Sequence, residues 1–305
     1  MSTSQQKKSY VAIAIAVAFI STSAVMVKLT SAPASIIAMY RLIFATCLMV
    51  PLVIFRYRGE FKRVSKRDWV FGTLAGISLA FHFILWFESL NYTSVASSVV
   101  LVTLQPLFAF IGTYLFFKEK LSWPAIVGGM TAIAGSIVIS WGDFRVSGIA
   151  LFGDMLALTA CAMVTGYLLF GQNVRKRLDL IPYTFIVYGI AAITLILYNA
   201  VLTYPFIGYA GSDWMMFVLL AVFPTLLGHS LLNWSVKWVS VNVIAMSILF
   251  EPIGASILAY LLLGETLHLL QWVGGGIILT GLFIFTRTYQ REVLYDEHTV
   301  RQSST

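Results

Sequence analysis

The chain has 305 residues, of which 59% are hydrophobic and 11% charged, where a soluble domain is about 25% charged. So little charge cannot cover a water-facing surface, which argues against a soluble enzyme or DNA-binding protein and against disorder. The formal net charge of +7 sits in loops, with no basic helix or aromatic stacking motif beside it, so nucleic acid is not expected as a partner.

Apolar runs lie at roughly 10–29, 33–55, 69–90, 94–117, 123–141, 149–171, 183–203, 214–234, 242–263 and 268–286. Each is near the ~20 residues that cross a bilayer as a helix. The runs are continuous rather than alternating, against a β-barrel. The first follows Lys7 and Lys8 and lacks a convincing A-x-A site, so it reads as a retained helix. Cys47 and Cys161 fall inside apolar runs and read as small buried hydrophobes, not as a metal site or a disulfide.

With the N-terminus placed in the cytoplasm, 17 Lys and Arg fall inside and two, Lys28 and Arg145, outside, while Arg41 lies within a span. That asymmetry obeys the positive-inside rule. It predicts a multi-pass protein of the cell membrane with both termini cytoplasmic. The longest connector, from about Arg56 to Asp68, is basic and suits anionic head groups. The tail after Arg287 is polar and expected to fray. The phosphate loop G-x-x-x-x-G-K-[ST] is absent from the sequence, so ATP is not the expected energy source.

Residues 94–139 realign on 240–285 at a constant offset of 146. Ser94 matches Ser240, Gln105-Pro106 matches Glu251-Pro252, Tyr114 matches Tyr260 and Glu119 matches Glu265. Gly128-Gly129 and Gly135 match Gly274-Gly275 and Gly281. Each half then holds five helices, an odd number, so the second half enters the membrane from the opposite side. The expected fold is an all-α integral membrane protein of ten transmembrane helices in two inverted five-helix repeats. Its parts are a cytoplasmic N-terminus (1–9), a first repeat (10–141), a second repeat (149–286) and a cytoplasmic tail (287–305). Inverted repeats are typical of secondary transporters, with the substrate near the midplane between the halves.

The repeat ends PLFAFIGTYLFFKEKLS (106–122) and PIGASILAYLLLGETLH (252–268) each lead into a glycine-rich helix, VGGMTAIAGSIVI (127–139) and VGGGIILTGLFIF (273–285). With the Arg of YRLIFA (40–45), they resemble the drug/metabolite transporter superfamily and, within it, the EamA-type ten-helix family. The resemblance covers about 10–286. It implies the ten-helix fold and a carrier of small metabolites, with exporters of amino acids setting the expectation. It implies no particular cargo.

An ionisable residue inside the bilayer costs several kcal/mol and is a functional candidate by default. Glu251 stands about nine residues into its span, roughly 14 Å deep at ~1.5 Å per residue. Pro252 after it can kink or break the helix. Gln105 is its neutral counterpart in the first half. A carboxylate at that depth suits a cationic group or a proton, which makes Glu251 the proton-coupling candidate; a protonated Glu251 bonded to a neighbouring helix is the plain alternative. Arg41 keeps its charge and needs Glu88, Glu251 or a substrate carboxylate. His82 and His229 are nearly equivalent, at an offset of 147, with Trp86 and Asn233 one turn beyond each. Tyr260, with Tyr114, Tyr167 and Trp234, is a candidate cavity aromatic.

The expected substrate-binding set is therefore Arg41, His82, Trp86, Gln105, His229, Asn233, Glu251 and Tyr260. No catalytic residue, cofactor or metal is expected, because nucleophile and metal-ligand motifs are missing from the sequence. Glu119 and Glu265 are expected to stabilise the starts of the glycine-rich helices. Those helices are scaffold, or the surface of a homodimer, through close glycine contacts. Both signs of charge suit a zwitterion such as an amino acid, moved outward by alternating access, with or without protons. A multidrug or organic-cation exporter is the alternative; a channel or an intramembrane enzyme fits less well.

Overall fold

The computed structural model describes the backbone of residues 3–93, 95–140, 148–263 and 269–303. Ser94, Arg145 and Glu265, named above, lie outside the described residues. The first crossing is α1 (Thr3–Ile20) and α2 (Thr22–Lys28), and the second is α3 (Ala34–Leu52) with a π-helical end at Val53–Tyr57. The third is α4 (Lys66–Ser89), the fourth α5 (Val95–Thr103) plus α6 (Gln105–Phe117), and the fifth α7 (Trp123–Ser140). The second half repeats the order with α8 (Gly148–Arg175), α9 (Leu180–Val201), and α10 (Gly211–Leu220) joined by a π-helical stretch, Ala221–His229, to α11 (Ser230–Ser235). The ninth crossing is α12 (Val241–Ile248) plus α13 (Glu251–Leu263), and the tenth is the start of α14 (Leu269–Ser303). Eight of these crossings have the length and apolar character of membrane spans, and Trp123–Val138 is a shorter apolar helix. Among the described residues no strand occurs. Helix continues through the tail expected to fray, as far as Ser303.

The sheath of exposed Phe, Leu, Ile and Val, with Phe55 and Val201 among the most open, is what a lipid-facing surface requires, since hydrocarbon leaves backbone polar groups to be satisfied within helices. Cys47 belongs to this sheath and is exposed, not buried as expected; Cys161 is buried. Packing pairs helices across the two halves. α4 lies on α8, α3 on α9, α7 on α14, and α1 on the π-helical stretch and α11. The third-with-sixth and first-with-eighth pairs are the same contact seen from either half.

The glycine-rich helices meet each other inside the molecule. A Cβ on Gly128 would lie 2.6 Å from the Phe285 nitrogen, and one on Gly135 2.7 Å from the Gly274 carbonyl. Such distances are too short for any side chain, so the glycines let α7 and α14 touch along their backbones.

The fourth and ninth crossings are each broken near the middle. Pro106 and Pro252 cannot donate to the carbonyls four residues back, those of Val102 and Ile248. The chain passes both breaks by tight i→i−3 bonds, Leu104 N–H to Leu101 O at 3.3 Å and Phe250 N–H to Ser247 O at 3.1 Å. It resumes as helix at Gln105 and at Glu251, which places each proline in a first turn, where its missing donor costs nothing. Both termini lie on one side, called here the terminal side, because the crossings number ten. α6 and α12 form the terminal-side halves of the broken helices, α5 and α13 the opposite halves.

Candidate functional site

A cavity lies at the level of the two breaks. Its wall includes Val102 and Gln105 from the fourth crossing and the equivalent Ile248 and Glu251 from the ninth. The third crossing adds His82 and Trp86, and the eighth adds His229 and Leu232. The first and sixth crossings complete it with Ile20, Ser23, Val164, Tyr167 and Leu168. Three crossings of one half thus face their three equivalents in the other. The space open to the centre of a water molecule is about 20 Å³, room for about one water. α6 against α12 closes the terminal side, and α13 against α2 and α5 the other.

Several polar atoms in this region have no hydrogen-bond partner among the described residues: Trp86 Nε1, Gln105 Oε1, His229 Nδ1 and Arg41 Nη2. All four residues are buried. A buried polar group left unpaired costs about 1–3 kcal/mol, so each of these atoms calls for a partner. His82 donates its Nδ1–H to the Ala160 carbonyl at 3.0 Å. That leaves Nε2 as the acceptor of the neutral ring. Its ring stacks on Trp86 at 5.6 Å.

Arg41 is fully buried. Its Nε donates to Thr225 Oγ1 at 2.6 Å and its Nη1 to Ser23 Oγ at 3.0 Å, and the guanidinium lies 4.3 Å from the centre of the Phe83 ring. Among the described residues no carboxylate comes within ion-pair distance of it. Glu88, one expected partner, instead accepts from Asn91 Nδ2 at 3.3 Å on the exposed surface. Arg41 therefore sits behind Ser23, which lines the cavity, and its charge reaches the cavity across that hydroxyl. Thr225 belongs to the π-helical stretch; its hydroxyl also donates to the Leu220 carbonyl, five residues back, at 2.8 Å. π-helical turns often mark functional sites, and this one carries His229 at its end.

Of the eight residues expected to bind substrate, His82, Trp86, Gln105, His229 and Glu251 line the cavity. Arg41 stands one residue behind it. Asn233 does not line it: its amide donates to the Tyr167 hydroxyl and to the His229 carbonyl, the latter at 2.9 Å. Tyr260 is 51% exposed and away from the cavity. Nine residues at 100° each turn it half a circle from Glu251 on the same helix. Tyr114 stands in the same relation to Gln105 and is 50% exposed. Ser23, Thr225 and the Tyr188–Ser230 hydroxyl pair at 3.1 Å were not legible beforehand, because a lone hydroxyl in an apolar run has no pattern. Pro224 inside the eighth span was the available sign of the π-helical stretch.

Known proteins match over most of the chain. An uncharacterized transporter, YdfC of Bacillus subtilis, is 24% identical over 86% of this chain and 85% of its own. An uncharacterized transporter of Archaeoglobus fulgidus is 27% identical over 82% and 88% respectively. A crystal structure at 17% identity superposes with a TM-score of 0.74 over 92% of this chain and 98% of that one, a likeness that carries the fold alone. The EamA-like transporter family matches residues 7–141 and 151–287, once for each half. This chain is a multi-pass membrane protein and belongs to the EamA-like transporter family.

Proposed function

We propose that this transporter is a secondary carrier that moves amino acids or related zwitterionic metabolites out across the cytoplasmic membrane by alternating access, with both termini in the cytoplasm. The observation that carries the reading is one small cavity between equivalent broken helices, with Glu251 in its wall and Arg41 held behind Ser23 without a carboxylate partner among the described residues. A carboxylate-bearing substrate supplies the charge Arg41 lacks, and its ammonium meets Glu251 and the acceptor Gln105 Oε1. Ile20, Val102, Val164, Leu168, Leu232 and Ile248 receive its apolar part. With room for about one water, the cavity must widen to admit cargo, which alternating access entails. Glu251 is the group that exchanges a proton.

The position of Arg41 behind the wall also favours a second reading. If its charge stays shielded by Ser23 and Thr225, Glu251 alone faces the cargo and an organic cation fits better. Metabolites in the medium of cells overproducing wild type, Glu251→Gln or Arg41→Lys at equal membrane abundance separate the two. Under the amino-acid reading one amino-acid class builds up outside the wild-type cells. Both variants then lower its rate about tenfold or more, the loss of about 1.4 kcal/mol of interaction. Export of an organic cation that survives Arg41→Lys selects the second reading. Media identical to those of empty-vector cells refute export of a resident metabolite. Loss of pH-gradient dependence in Glu251→Gln, with residual flux intact, is the signature of proton exchange there.

A further inference from the structure

On the terminal side the fourth, ninth and tenth crossings are tied by one carboxylate. Glu119, just beyond α6, accepts from Ser240 Oγ at 2.7 Å, from Asn242 Nδ2 at 3.0 Å and from the Tyr289 hydroxyl at 3.1 Å. Asn242 also donates to Thr113 Oγ1 at 2.9 Å. Thr113 and Asn242 are completely buried. Glu119 was expected to stabilise the start of α7; its oxygens point instead across the molecule, to the second half. The turn that aims it is left-handed, with Lys118 at φ +58°, and is closed by Glu119 N–H on Thr113 O at 3.3 Å.

Gln105, Ala109 and Thr113 follow one another at intervals of four along α6 and share one face. That face leads from the cavity wall to the carboxylate. α6 belongs to the first half, α12 and α14 to the second, so a path from cavity to terminal side cannot open between α6 and α12 while these bonds hold.

The offset of 146 gives these residues, within the repeat, sequence equivalents in the other half. Glu119 corresponds to Glu265, Ser240 to Ser94 and Lys118 to Gly264, the residue type that takes a left-handed turn without strain. Asn242 and Thr113, however, correspond to Ala96 and Ala259. An alanine side chain makes no hydrogen bond. Three donors serve the Glu119 carboxylate; of Ser240 and Asn242, only the serine has a side-chain donor at its equivalent position in the sequence. Bonds to an ionised acceptor are the stronger ones.

We propose that Glu119, Ser240, Asn242 and Tyr289 are a latch on a terminal-side gate, which holds that side closed until these bonds release. The latch rests on the alternating-access reading but stands apart from the cavity, and its test needs no substrate, so it fails or holds independently of the proposed cargo.

The test uses the full-length protein in membrane vesicles of both orientations, with Cys47→Ser and Cys161→Ala as background. Ala109→Cys supplies a reporter thiol between cavity and latch, and Val99→Cys, on α5, supplies one in the opposite half. A membrane-impermeant maleimide is applied to the side on which a C-terminal tag is digestible, then to the other. Asn242→Ala and Glu119→Gln are expected to speed labelling of the α6 reporter about tenfold from the terminal side, the effect of one or two lost charge-assisted bonds. Labelling of the α5 reporter from the other side should slow in the same variants. Tyr289→Phe removes one hydroxyl from a half-buried ring, leaves the packing in place and should give a smaller change of the same sign. Unchanged labelling of the α6 reporter in all three variants overturns the latch. So does faster labelling of both reporters together, because that is general loosening and not a shift between two closed ends.

Discussion

Lys118 shows how one residue can be strained for what its neighbour does. It is one of two non-glycine residues with positive φ among those described, and its turn delivers Glu119 to Ser240 and Asn242. A left-handed backbone costs an L-residue about 1–2 kcal/mol. Glycine stands at the equivalent place in the second half. Lys118→Gly should therefore stabilise the protein by about 1 kcal/mol, read as a higher midpoint of thermal unfolding in detergent; an unchanged or lower midpoint refutes the strain. At the same scale, the chemistry of Gln105, Glu251, His82 and His229 was legible because polar residues stand out in apolar runs. The outward facing of Tyr260 and Tyr114 was not expected, although the half-turn between each and its proline-flanked partner follows from helix geometry alone.

Among the elements, the two proline breaks matter most. A proline in a helix interior costs about 3 kcal/mol, but Pro106 and Pro252 sit in first turns and escape that cost. The break then leaves the carbonyls of two cavity residues, Val102 and Ile248, without a helical donor. Pro252→Ala removes the obstacle to a continuous ninth helix. Transport should slow about tenfold, a barrier higher by about 1.4 kcal/mol, with little change in thermal stability. A wild-type rate would mean that packing, not proline, sets the break. The π-helical stretch at Ala221–His229 is a further element whose irregularity serves the site, since it brings Thr225 to Arg41. The glycines of α7 and α14 do the opposite work: they make a regular pair that positions the halves and stays out of the cavity.

Across the whole molecule, the charge count predicts one orientation. A fluorescent protein fused after Thr305 should be bright, and alkaline phosphatase fused there inactive, because both outcomes require a cytoplasmic C-terminus. A dark first fusion and an active second would invert the carrier and reverse the sides of the latch. Composition, run length and the repeat at 146 were enough for class and helix number, since hydrocarbon admits few backbone solutions and a shared offset implies a shared fold; the family resemblance came from the motifs at the repeat ends and the glycine-rich helices. The repeat also showed that Gln105 and Glu251 are equivalent. That they face one cavity, that Arg41 stands behind Ser23, and that Glu119 binds the other half were decided by tertiary structure alone. Those facts depend on which helix faces meet, and residues on different helices, 18 positions apart for Arg41 and Ser23 and more than a hundred for the others, carry no local sign of one another.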